Sequence, residues 1–394
     1  MVAIRKRKFI FLIMISVIVG FVVAGVIGTV FLITNDSVIL SNKQYENLKY
    51  MTDKYSKTEQ LYNTIQENYY KTVEDEPLLE GMYKGLFYGL KDPYSEYLTS
   101  REYQDLMVNT MGEFEGIGVT ITGDSNGNIV IVSTIEGTPA DQAGLKTGDV
   151  ITMVDNEPYS GAELSKAASA MRGEKGTKVT ITYWRGGVTT DVILTRAKII
   201  DQSVYSKILS EDVGYIRITQ FEKNTDKDFE AVLKELEGAN VKGIIIDIRN
   251  NGGGLIDSGI EIADMLLGEG TITYLENNQK ERTYYNSDDS ATRIPYILLI
   301  NEGTASTSEI LAAAVQDNGG GTVLGTKSFG KGVVQSVEML PDGDAIKLTV
   351  MQYYSPKGNT IHGKGVIPEI VVENIEETVK DEPLEKAIEL LQES

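Results

Sequence analysis

The sequence predicts an α/β protein with a second, β-rich domain and a helical region, all behind one membrane-spanning helix. Three observations predict this: a long apolar run near the N-terminus, closely spaced strand patterns in residues 113–199, and alternating strands and helices from residue 200 onward. The chain has 394 residues, and a hydrophobic content of 41% is sufficient for large buried cores. We therefore expect several folded domains rather than a disordered chain.

Composition excludes several kinds of chemistry. The chain contains no Cys, so a Cys nucleophile, a disulfide and a Cys-ligated metal are impossible. Its single His, His362, cannot form a multi-His metal site, and we expect no metal and no cofactor. With 57 acidic and 37 basic residues the net charge is -20, which disfavours nucleic-acid binding because phosphates require clustered cations.

The N-terminal segment predicts a membrane anchor over residues 1–35. Arg5, Lys6, Arg7 and Lys8 precede an apolar run over residues 9–33, which is long enough to cross a hydrocarbon core of ~30 Å. The basic cluster should stay cytoplasmic, so we predict a single-pass protein of the cell membrane with the rest of the chain extracytoplasmic. A secretory signal peptide is the alternative, although its apolar region is usually ~7–15 residues long.

Two further segments have helical patterns but no residues suited to chemistry. Residues 36–112 have helical spacing of apolar side chains and could pack on the rest of the protein or form a homodimer with a second copy. An ordinary helical subdomain is the alternative. Residues 375–394 predict an acidic helix, which we interpret as a solvated amphipathic tail rather than an interaction surface.

Residues 113–199 resemble a PDZ domain through two glycine-containing motifs. These are Gly137-Thr-Pro-Ala-Asp-Gln-Ala-Gly-Leu-Lys-Thr-Gly-Asp-Val-Ile and, before it, Gly116-Ile-Gly-Val. The resemblance implies that Gly116, Ile117, Gly118 and Val119 bind a peptide's terminal carboxylate through backbone N–H groups. It also implies that Arg172 couples peptide binding to the active site, although a solvated cation near a helix C-terminus is the simpler interpretation.

The predicted α/β core, residues 200–374, has two unusual loops after buried strands. The first is Asp247-Ile-Arg-Asn-Asn-Gly-Gly-Gly-Leu, whose glycines could leave N–H groups open as an oxyanion hole or simply form a tight turn. The second is Asn301-Glu-Gly-Thr-Ala-Ser-Thr-Ser-Glu-Ile, which puts Ser306 at the start of a helix. There a serine can be a nucleophile near the positive helix end or an N-cap, and Ser308 is an equal candidate for the cap.

Lys331 is the candidate base for a serine nucleophile. It lies in Gly325-Thr-Lys-Ser-Phe-Gly-Lys-Gly, which nearly matches a phosphate-binding P-loop but has Gly332 where that motif needs Ser or Thr. A lysine can act as a base only if burial lowers its pKa from ~10.4 toward neutrality. Gln335 could orient the amine without adding a charge that would raise this pKa again.

Several motifs together resemble the carboxyl-terminal processing peptidases, a family of serine peptidases (S41) with a Ser-Lys dyad and a PDZ domain. The motifs are Arg249-Asn-Asn-Gly-Gly-Gly-Leu, Gly303-Thr-Ala-Ser-Thr-Ser-Glu-Ile, Phe329-Gly-Lys-Gly-Val-Val-Gln and Gly89-Leu-Lys-Asp-Pro-Tyr-Ser-Glu-Tyr-Leu. The resemblance implies a crotonase/ClpP-like α/β peptidase core with an inserted PDZ domain, and substrates with free C-terminal tails. It further implies specific roles: Ser306 as nucleophile, Lys331 as base, Gln335 as orienting residue, and the N–H groups of Gly253 or Gly254 and of Thr307 as the oxyanion hole.

Two departures from the family pattern and two alternative functions stay open. Gly252 stands where many members have Pro, and Thr307 stands where many have Ala. The first alternative is a membrane-tethered PDZ adaptor whose α/β core is catalytically inactive. The second is a crotonase-type acyl-CoA enzyme, because such cores also build oxyanion holes from glycine loops.

Overall fold

The computed structural model describes residues 6–34, 40–200, 202–209, 212–374 and 380–393. Arg5 of the basic cluster and the boundaries predicted at residues 35 and 375 lie outside these ranges. The chain divides into two compact units, Met1–Met82 and Tyr83–Ser394.

The first unit is helical. It contains α1 (Lys6–Thr34), α2 (Asn42–Asn68) and the beginning of α3 (Asp75–Tyr88). Within α1, Lys6–Val30 is long and apolar enough to cross a membrane and is not buried by other described residues, a description that a signal sequence also fits. Ser41 caps the N-terminus of α2: its N–H donates to Gln44 Oε1 while its hydroxyl accepts from the Gln44 N–H. This reciprocal pair explains where α2 starts.

The second unit contains a β-rich module that confirms the predicted PDZ strands. It begins after β1 (Glu96–Leu98), α4 (Ser100–Met111) and β2 (Glu113–Gly116). Its elements are β3 (Val119–Gly123), β4 (Ile129–Thr134), α5 (Pro139–Gln142), β5 (Val150–Val154), β6 (Glu157–Pro158), α6 (Leu164–Met171), β7 (Lys178–Arg185) and β8 (Val188–Thr195). The strands form an antiparallel sheet in the order β3-β4-β5-β7-β8, with β6 beside β5. Ile129, Ile131 and Ile181 are fully buried in its own core.

The module is inserted between parts of a larger α/β core. Strand β9 (Ala197–Ile200), which leaves the module, pairs antiparallel with β2, which enters it. The core then continues with β10 (Val204–Leu209), β11 (Val213–Ile218), α7 (Thr225–Gly238), β12 (Gly243–Asp247), α8 (Ile256–Leu266), β13 (Gly270–Asn277), β14 (Arg282–Ser287), β15 (Tyr296–Ile300), α9 (Thr307–Asn318), β16 (Thr322–Gly325), β17 (Val333–Met339), β18 (Ala345–Tyr354), β19 (Ile370–Val371) and α10 (Glu382–Glu393).

The central sheet positions both loops singled out in the sequence. Its order is β10-β11-β12-β15-β16-β19, and every neighbouring pair from β11 to β19 is parallel. Alternate residues of β12 enter different cores: Ile244 and Ile246 pack with α7, α8 and α9, whereas Ile245 packs with α10. Because β12 and β15 are adjacent and parallel, their following loops emerge at the same sheet edge.

The C-terminal helix is part of the fold. Pro383, Ala387 and Leu391 of α10 are buried, and Leu391 packs so closely on Gly243 of β12 that a Cβ there would lie 2.8 Å from it. The interpretation of this helix as a solvated tail is therefore wrong. Its apolar stripe covers one face of the central sheet.

A second sheet, which the sequence analysis did not predict, carries the segment after Lys331. Strand β18 pairs with β17 along its length, and also with β13 and β1. Strand β1 belongs to the predicted helical region, but Glu96 lies opposite Lys347 and Leu98 opposite Ala345. Residues before the PDZ-like module thus complete a sheet of the core.

Candidate active site

Ser306 occupies a strained turn between β15 and α9. Its φ and ψ are 59° and -122°, a backbone conformation that costs a non-glycine residue about 1–3 kcal/mol. The Ser306 N–H donates to Glu309 Oε2 at 3.0 Å, and its carbonyl accepts from the Tyr353 hydroxyl at 3.0 Å. These bonds hold the partly exposed serine at the N-terminus of α9, where the helix dipole favours negative charge.

Ser308, the other candidate for the N-cap, lies within α9, and Ser306 occupies the N-cap position. Ser308 is fully buried, and its hydroxyl donates to the Asn251 carbonyl at 3.0 Å. Of the two serines, Ser306 is the one that faces accessible space.

Glu309 is a fully buried carboxylate that joins the Ser306 turn to the Lys331 loop. Its Oε2 accepts from the N–H groups of Ser306 at 3.0 Å and Lys331 at 2.8 Å. Its Oε1 accepts from the Ser328 hydroxyl at 2.5 Å and the Gly330 N–H at 2.7 Å. Because one carboxylate oxygen binds the backbone at both positions, residues 306 and 331 are close in space.

The glycine loop after β12 lies directly against Ser306. Gly253 has φ +99°, and a Cβ on it would lie 2.7 Å from the Ser306 Cβ, so only glycine permits this approach. Its N–H donates to Asn251 Oδ1 at 2.9 Å. Asn251, which is fully buried, also donates through Nδ2 to the Ile218 carbonyl at 3.0 Å and thereby ties the loop to β11.

Thr307 and Gly254 complete this side of the site. The Thr307 hydroxyl donates to the Gly254 carbonyl at 2.9 Å, so the additional hydroxyl links α9 to the glycine loop and does not project into the site. Among the described residues, the backbone N–H groups of Gly254 and Thr307 donate to no acceptor. These two donors are open, whereas that of Gly253 is already bonded.

Lys331 is partly buried, and its backbone is held beside the Ser306 turn by Glu309. Burial lowers the pKa of its amine, and the nearby Lys347 ammonium lowers this pKa further. The carboxylates of Asp92 and Glu309 act in the opposite direction but do not reverse the shift. The described structure contains no hydrogen bond between the Lys331 amine and the Ser306 hydroxyl.

Gln335 is near Lys331 in the chain but its amide is engaged elsewhere. Its Nε2 donates to Thr349 Oγ1 on the adjacent strand β18 at 3.2 Å. Because β17 begins at Val333, Lys331 is followed by a strand and not by the helix that a P-loop requires. The resemblance to a phosphate-binding loop is therefore coincidental.

In the PDZ-like module, the predicted carboxylate loop connects β2 to β3. Gly118 has φ +81°, and a Cβ there would lie 2.4 Å from Thr138, so the turn requires glycine. Within the part of the chain that is described, the N–H groups of Ile117 and Gly118 donate to no acceptor. Gly116 ends β2, and Val119 begins β3.

Arg172 caps the C-terminus of α6 in the same module. Its guanidinium pairs with Asp105 of α4 and lies 5.8 Å from the ring centroid of Phe114. Arg172 thus lies near a helix C-terminus, as the simpler interpretation expects, but it is only partly exposed and pairs with a carboxylate. In this conformation Arg172 is bound to the helix that precedes the module.

Comparison with known proteins agrees with this architecture. Residues 212–372 match peptidase family S41, residues 107–184 match the PDZ domain, and residues 22–101 match the N-terminal domain of the activating protease CtpB. The chain is 35% identical over 362 residues to a carboxy-terminal-processing protease of Bartonella bacilliformis, covering 90% of this chain and 82% of that protein. The chain belongs to peptidase family S41.

Another relative and a solved structure are similar in the same way. The carboxy-terminal processing protease CtpA of Bacillus subtilis is 34% identical over 373 residues, which cover 94% of this chain and 78% of that protein. The structure of the photosystem II D1 C-terminal processing protease has 30% sequence identity and a TM-score of 0.49, over 80% of this chain and 86% of that one.

The S41 protein is therefore a carboxy-terminal processing serine protease with a PDZ domain, and its core has the predicted mixed α/β fold. A PDZ domain in such a protease implies peptide substrates with C-terminal tails. Family membership also disfavours both the inactive adaptor and the acyl-CoA enzyme as the function of this chain.

Three residues of the site, Asn251, Glu309 and Tyr353, were not predicted from the sequence. Glu309 stands three residues after Ser306, the spacing of a helix capping box, and this was the available signal. Asn251 is part of the motif before the glycines, but nothing in its sequence context indicates that its side chain would hold the loop to β11.

Proposed function

We propose that this S41 protease is a membrane-anchored endopeptidase that cuts substrates near their C-termini with a Ser306–Lys331 dyad. The main support for this dyad is that the Glu309 carboxylate and the Tyr353 hydroxyl each bind the backbone at both Ser306 and Lys331. The two residues of the dyad are thus held by shared buried partners.

In the proposed reaction, the neutral Lys331 amine takes the proton from the Ser306 hydroxyl as its oxygen attacks the substrate carbonyl carbon. The C–N bond then breaks, the amine product leaves with a proton from Lys331, and an acyl ester forms on Ser306. Lys331 next removes a proton from the water whose oxygen attacks the ester carbon. The bond from this carbon to Ser306 Oγ then breaks, and Lys331 returns the proton to Oγ as the carboxyl product leaves. The lowered pKa of Lys331 supports this role, because only the uncharged amine can accept a proton.

The amine and hydroxyl must still become aligned. A change of side-chain conformation would bring the Lys331 amine onto the Ser306 hydroxyl, and Gln335 would orient it after leaving Thr349. Both side chains are on the same short segment, which makes a joint movement feasible.

We assign the oxyanion hole to the open N–H groups of Gly254 and Thr307. Each preorganised donor of this kind is worth about 2.7–4 kcal/mol in the transition state. Gly253 can contribute only if Asn251 releases its N–H, since the two are hydrogen-bonded in this structure.

For substrate selection, we propose that the loop over Gly116, Ile117, Gly118 and Val119 binds the terminal carboxylate of the substrate's tail. The open N–H groups of Ile117 and Gly118 support this. Arg172 would link tail binding to the active site by exchanging its contact with Asp105 for one nearer Ser306.

For localisation, we propose that α1 is retained as an anchor and that the protease domain is extracytoplasmic. The length and composition of Lys6–Val30 support an anchor, and the preceding cations support this orientation. Helix α2 has no buried residue, so its apolar side chains could form the predicted homodimer contact. An N-terminal sequence of the mature protein that begins beyond residue 30 would instead identify a cleaved signal peptide.

The test uses the full-length protein in detergent, with cleavage of a protein substrate followed by mass spectrometry of the products. Ser306→Ala and Lys331→Ala should each lower kcat at least about 10³-fold, whereas Ser336→Ala and Lys227→Ala should not. Amidation of the substrate's C-terminus should lower kcat/KM about 10- to 100-fold, because a charged hydrogen-bond acceptor is lost. Full turnover by Lys331→Ala would show that Lys331 is not the base, and full turnover by Ser306→Ala would show that Ser306 is not the nucleophile.

A further inference from the structure

One family motif supplies no group to the proposed reaction: Gly89-Leu-Lys-Asp-Pro-Tyr-Ser-Glu-Tyr-Leu. Its central turn, residues 92–95, carries Tyr94, whose ring lies beside the Lys331 amine. The Nζ of Lys331 is 5.0 Å from the centroid of the Tyr94 ring, within the range of about 6 Å over which a cation is attracted to an aromatic face. No hydrogen bond or ion pair from this Nζ is present in the described ranges, so the ring is its principal specific contact.

The turn that carries Tyr94 is fixed to the second sheet. The Asp92 carboxylate accepts from the Tyr94 N–H at 3.0 Å and from the Ser95 hydroxyl at 2.6 Å. The buried Ser95 hydroxyl in turn accepts from the Thr349 N–H at 2.9 Å. Thr349 is also the residue whose hydroxyl accepts from Gln335. One bonded path therefore joins Tyr94 to the strand pair next to Lys331.

We propose that Tyr94 is a positioning residue for Lys331. The Tyr94 ring holds the Lys331 amine against its face between catalytic events and favours the protonated form of that amine. This rests on the proposed function, because the consequence for turnover requires Lys331 to be the base. The ring acts through its face, so the hydroxyl of Tyr94 is dispensable.

Three charged groups also act on the amine, and His362, whose backbone packs against Gly332, is a further titratable residue beside this loop. Lys347 on β18 disfavours the protonated form, whereas Asp92 in the turn and Glu309 on α9 favour it. All three remain when Tyr94 is replaced, so the contribution of the ring can be measured separately. Tyr94→Phe keeps the aromatic face, and Tyr94→Leu keeps apolar volume without it. Tyr88→Leu, at an 87% exposed position on α3, is the matched control.

The first measurement is the pH dependence of kcat/KM for the full-length protein in detergent. Turnover requires the neutral amine, so activity should fall as the pH drops through the pKa of Lys331. In Tyr94→Leu this acid limb should move to lower pH by about 0.5–1.5 units, because the protonated form loses its aromatic partner. In Tyr94→Phe and Tyr88→Leu it should move by less than about 0.3 units. An unmoved limb in Tyr94→Leu, or equal movement in Tyr94→Phe, would overturn the proposal.

A second measurement does not depend on turnover. Trace acetylation by acetic anhydride over a pH series, with mass spectrometry of the peptide that contains Lys331, reports when this amine becomes neutral. In a Ser306→Ala background, adding Tyr94→Leu should shift the labelling midpoint downward by the same amount as the acid limb. An unchanged midpoint counts against the role of Tyr94 whatever the catalytic base is. Failure of the proposed function appears separately, as full turnover in Lys331→Ala.

Discussion

The two sides of Ser306 differ in how firmly they are held. On the side of the proposed oxyanion hole (the oxyanion side), Asn251, Ser308 and Thr307 are fully buried, and their side chains bind the glycine loop, β11 and α9 to one another. On the side of the proposed base (the base side), the Lys331 amine lies over the Tyr94 ring and the Gln335 amide is bonded to Thr349. The N–H groups that would stabilise the oxyanion are thus held in fixed positions. The Lys331 amine, in contrast, is not hydrogen-bonded to the Ser306 hydroxyl in the described structure.

This difference fits the separate demands on the two sides. Preorganised donors act best when they do not move during the reaction, because reorganisation would cost part of their stabilisation. A base that must exchange a proton with the nucleophile and later with water can tolerate movement, and movement allows control by substrate binding. Glu309 is the exception, since its carboxylate spans both sides.

Among changes outside the proposed dyad, the largest effect should come from breaking the connection between the two sides. In Glu309→Gln, an amide NH₂ would face backbone N–H groups that now donate to the carboxylate. We expect the free energy of unfolding to fall by about 2–4 kcal/mol and kcat to fall at least about 100-fold. Urea denaturation and steady-state kinetics measure both, and the exposed Glu338→Gln is the control. A normal kcat in a destabilised Glu309→Gln variant would show that Glu309 stabilises the fold but is not needed to position Ser306 and Lys331 for catalysis.

Asn251→Ala should damage only the oxyanion side. It leaves the Ile218 carbonyl and the Gly253 N–H without their partner, which costs about 1–3 kcal/mol of stability. Disordering the glycine loop should lower kcat about 10²-fold while the acid limb of the pH profile stays in place. Asn278→Ala, in an exposed turn, should change neither property. A shifted acid limb in Asn251→Ala would mean that the two sides are coupled.

Lys347→Met should affect only the base side. The Lys347 ammonium helps to keep the pKa of Lys331 low, so its removal should raise that pKa and move the acid limb to higher pH, by less than about 1 unit. Activity at pH 7 should fall, and activity at high pH should recover. Its ion pair with Glu96 is partly exposed and contributes little to stability. A limb that moves no further than in Lys227→Met would contradict this prediction.

The smallest effect should come from Asp381→Asn, at the start of α10. Burial alone would raise the pKa of Asp381, but hydrogen bonds from the Arg249 guanidinium outweigh it and hold this pKa below its ordinary value. A lowered carboxyl pKa stabilises the fold above ~3.9, the unfolded value, and this contribution disappears as pH falls through the folded value. We expect a loss of about 1 kcal/mol at pH 7, after allowance for solvent screening.

Urea denaturation at pH 7 and near pH 3 checks this last prediction, with Asp289→Asn as the control. The difference between wild type and Asp381→Asn should shrink at the lower pH, and kcat should remain within about threefold. A fall in kcat of more than about threefold would contradict the prediction. It would mean that the ion pair between Arg249 and Asp381 also helps to hold the active site in place.

Much of the fold was predictable because its signals are local. The buried strands that contain Ile245 and Leu298, the amphipathic helix with Phe229 and Leu233, and the turns of the PDZ domain are confirmed. The second sheet was not predicted, because strands β13, β14, β17 and β18 mix polar and apolar residues without a clear period. The burial of α10 was missed for a related reason, since an amphipathic helix has the same sequence whether its apolar stripe is covered or not.

The amino-acid sequence by itself determined the apolar first helix, the order of the domains, and the family motifs that contain Ser306 and Lys331. These are properties of residues close together in the chain. Only the tertiary structure decided that Glu309 joins the two loops, that Asn251 occupies the Gly253 N–H, and that Tyr94 contacts Lys331 from more than 200 residues away. The physical reason is that hydrogen bonds and aromatic contacts depend on distances of a few ångströms, and chain folding, not residue spacing, sets those distances.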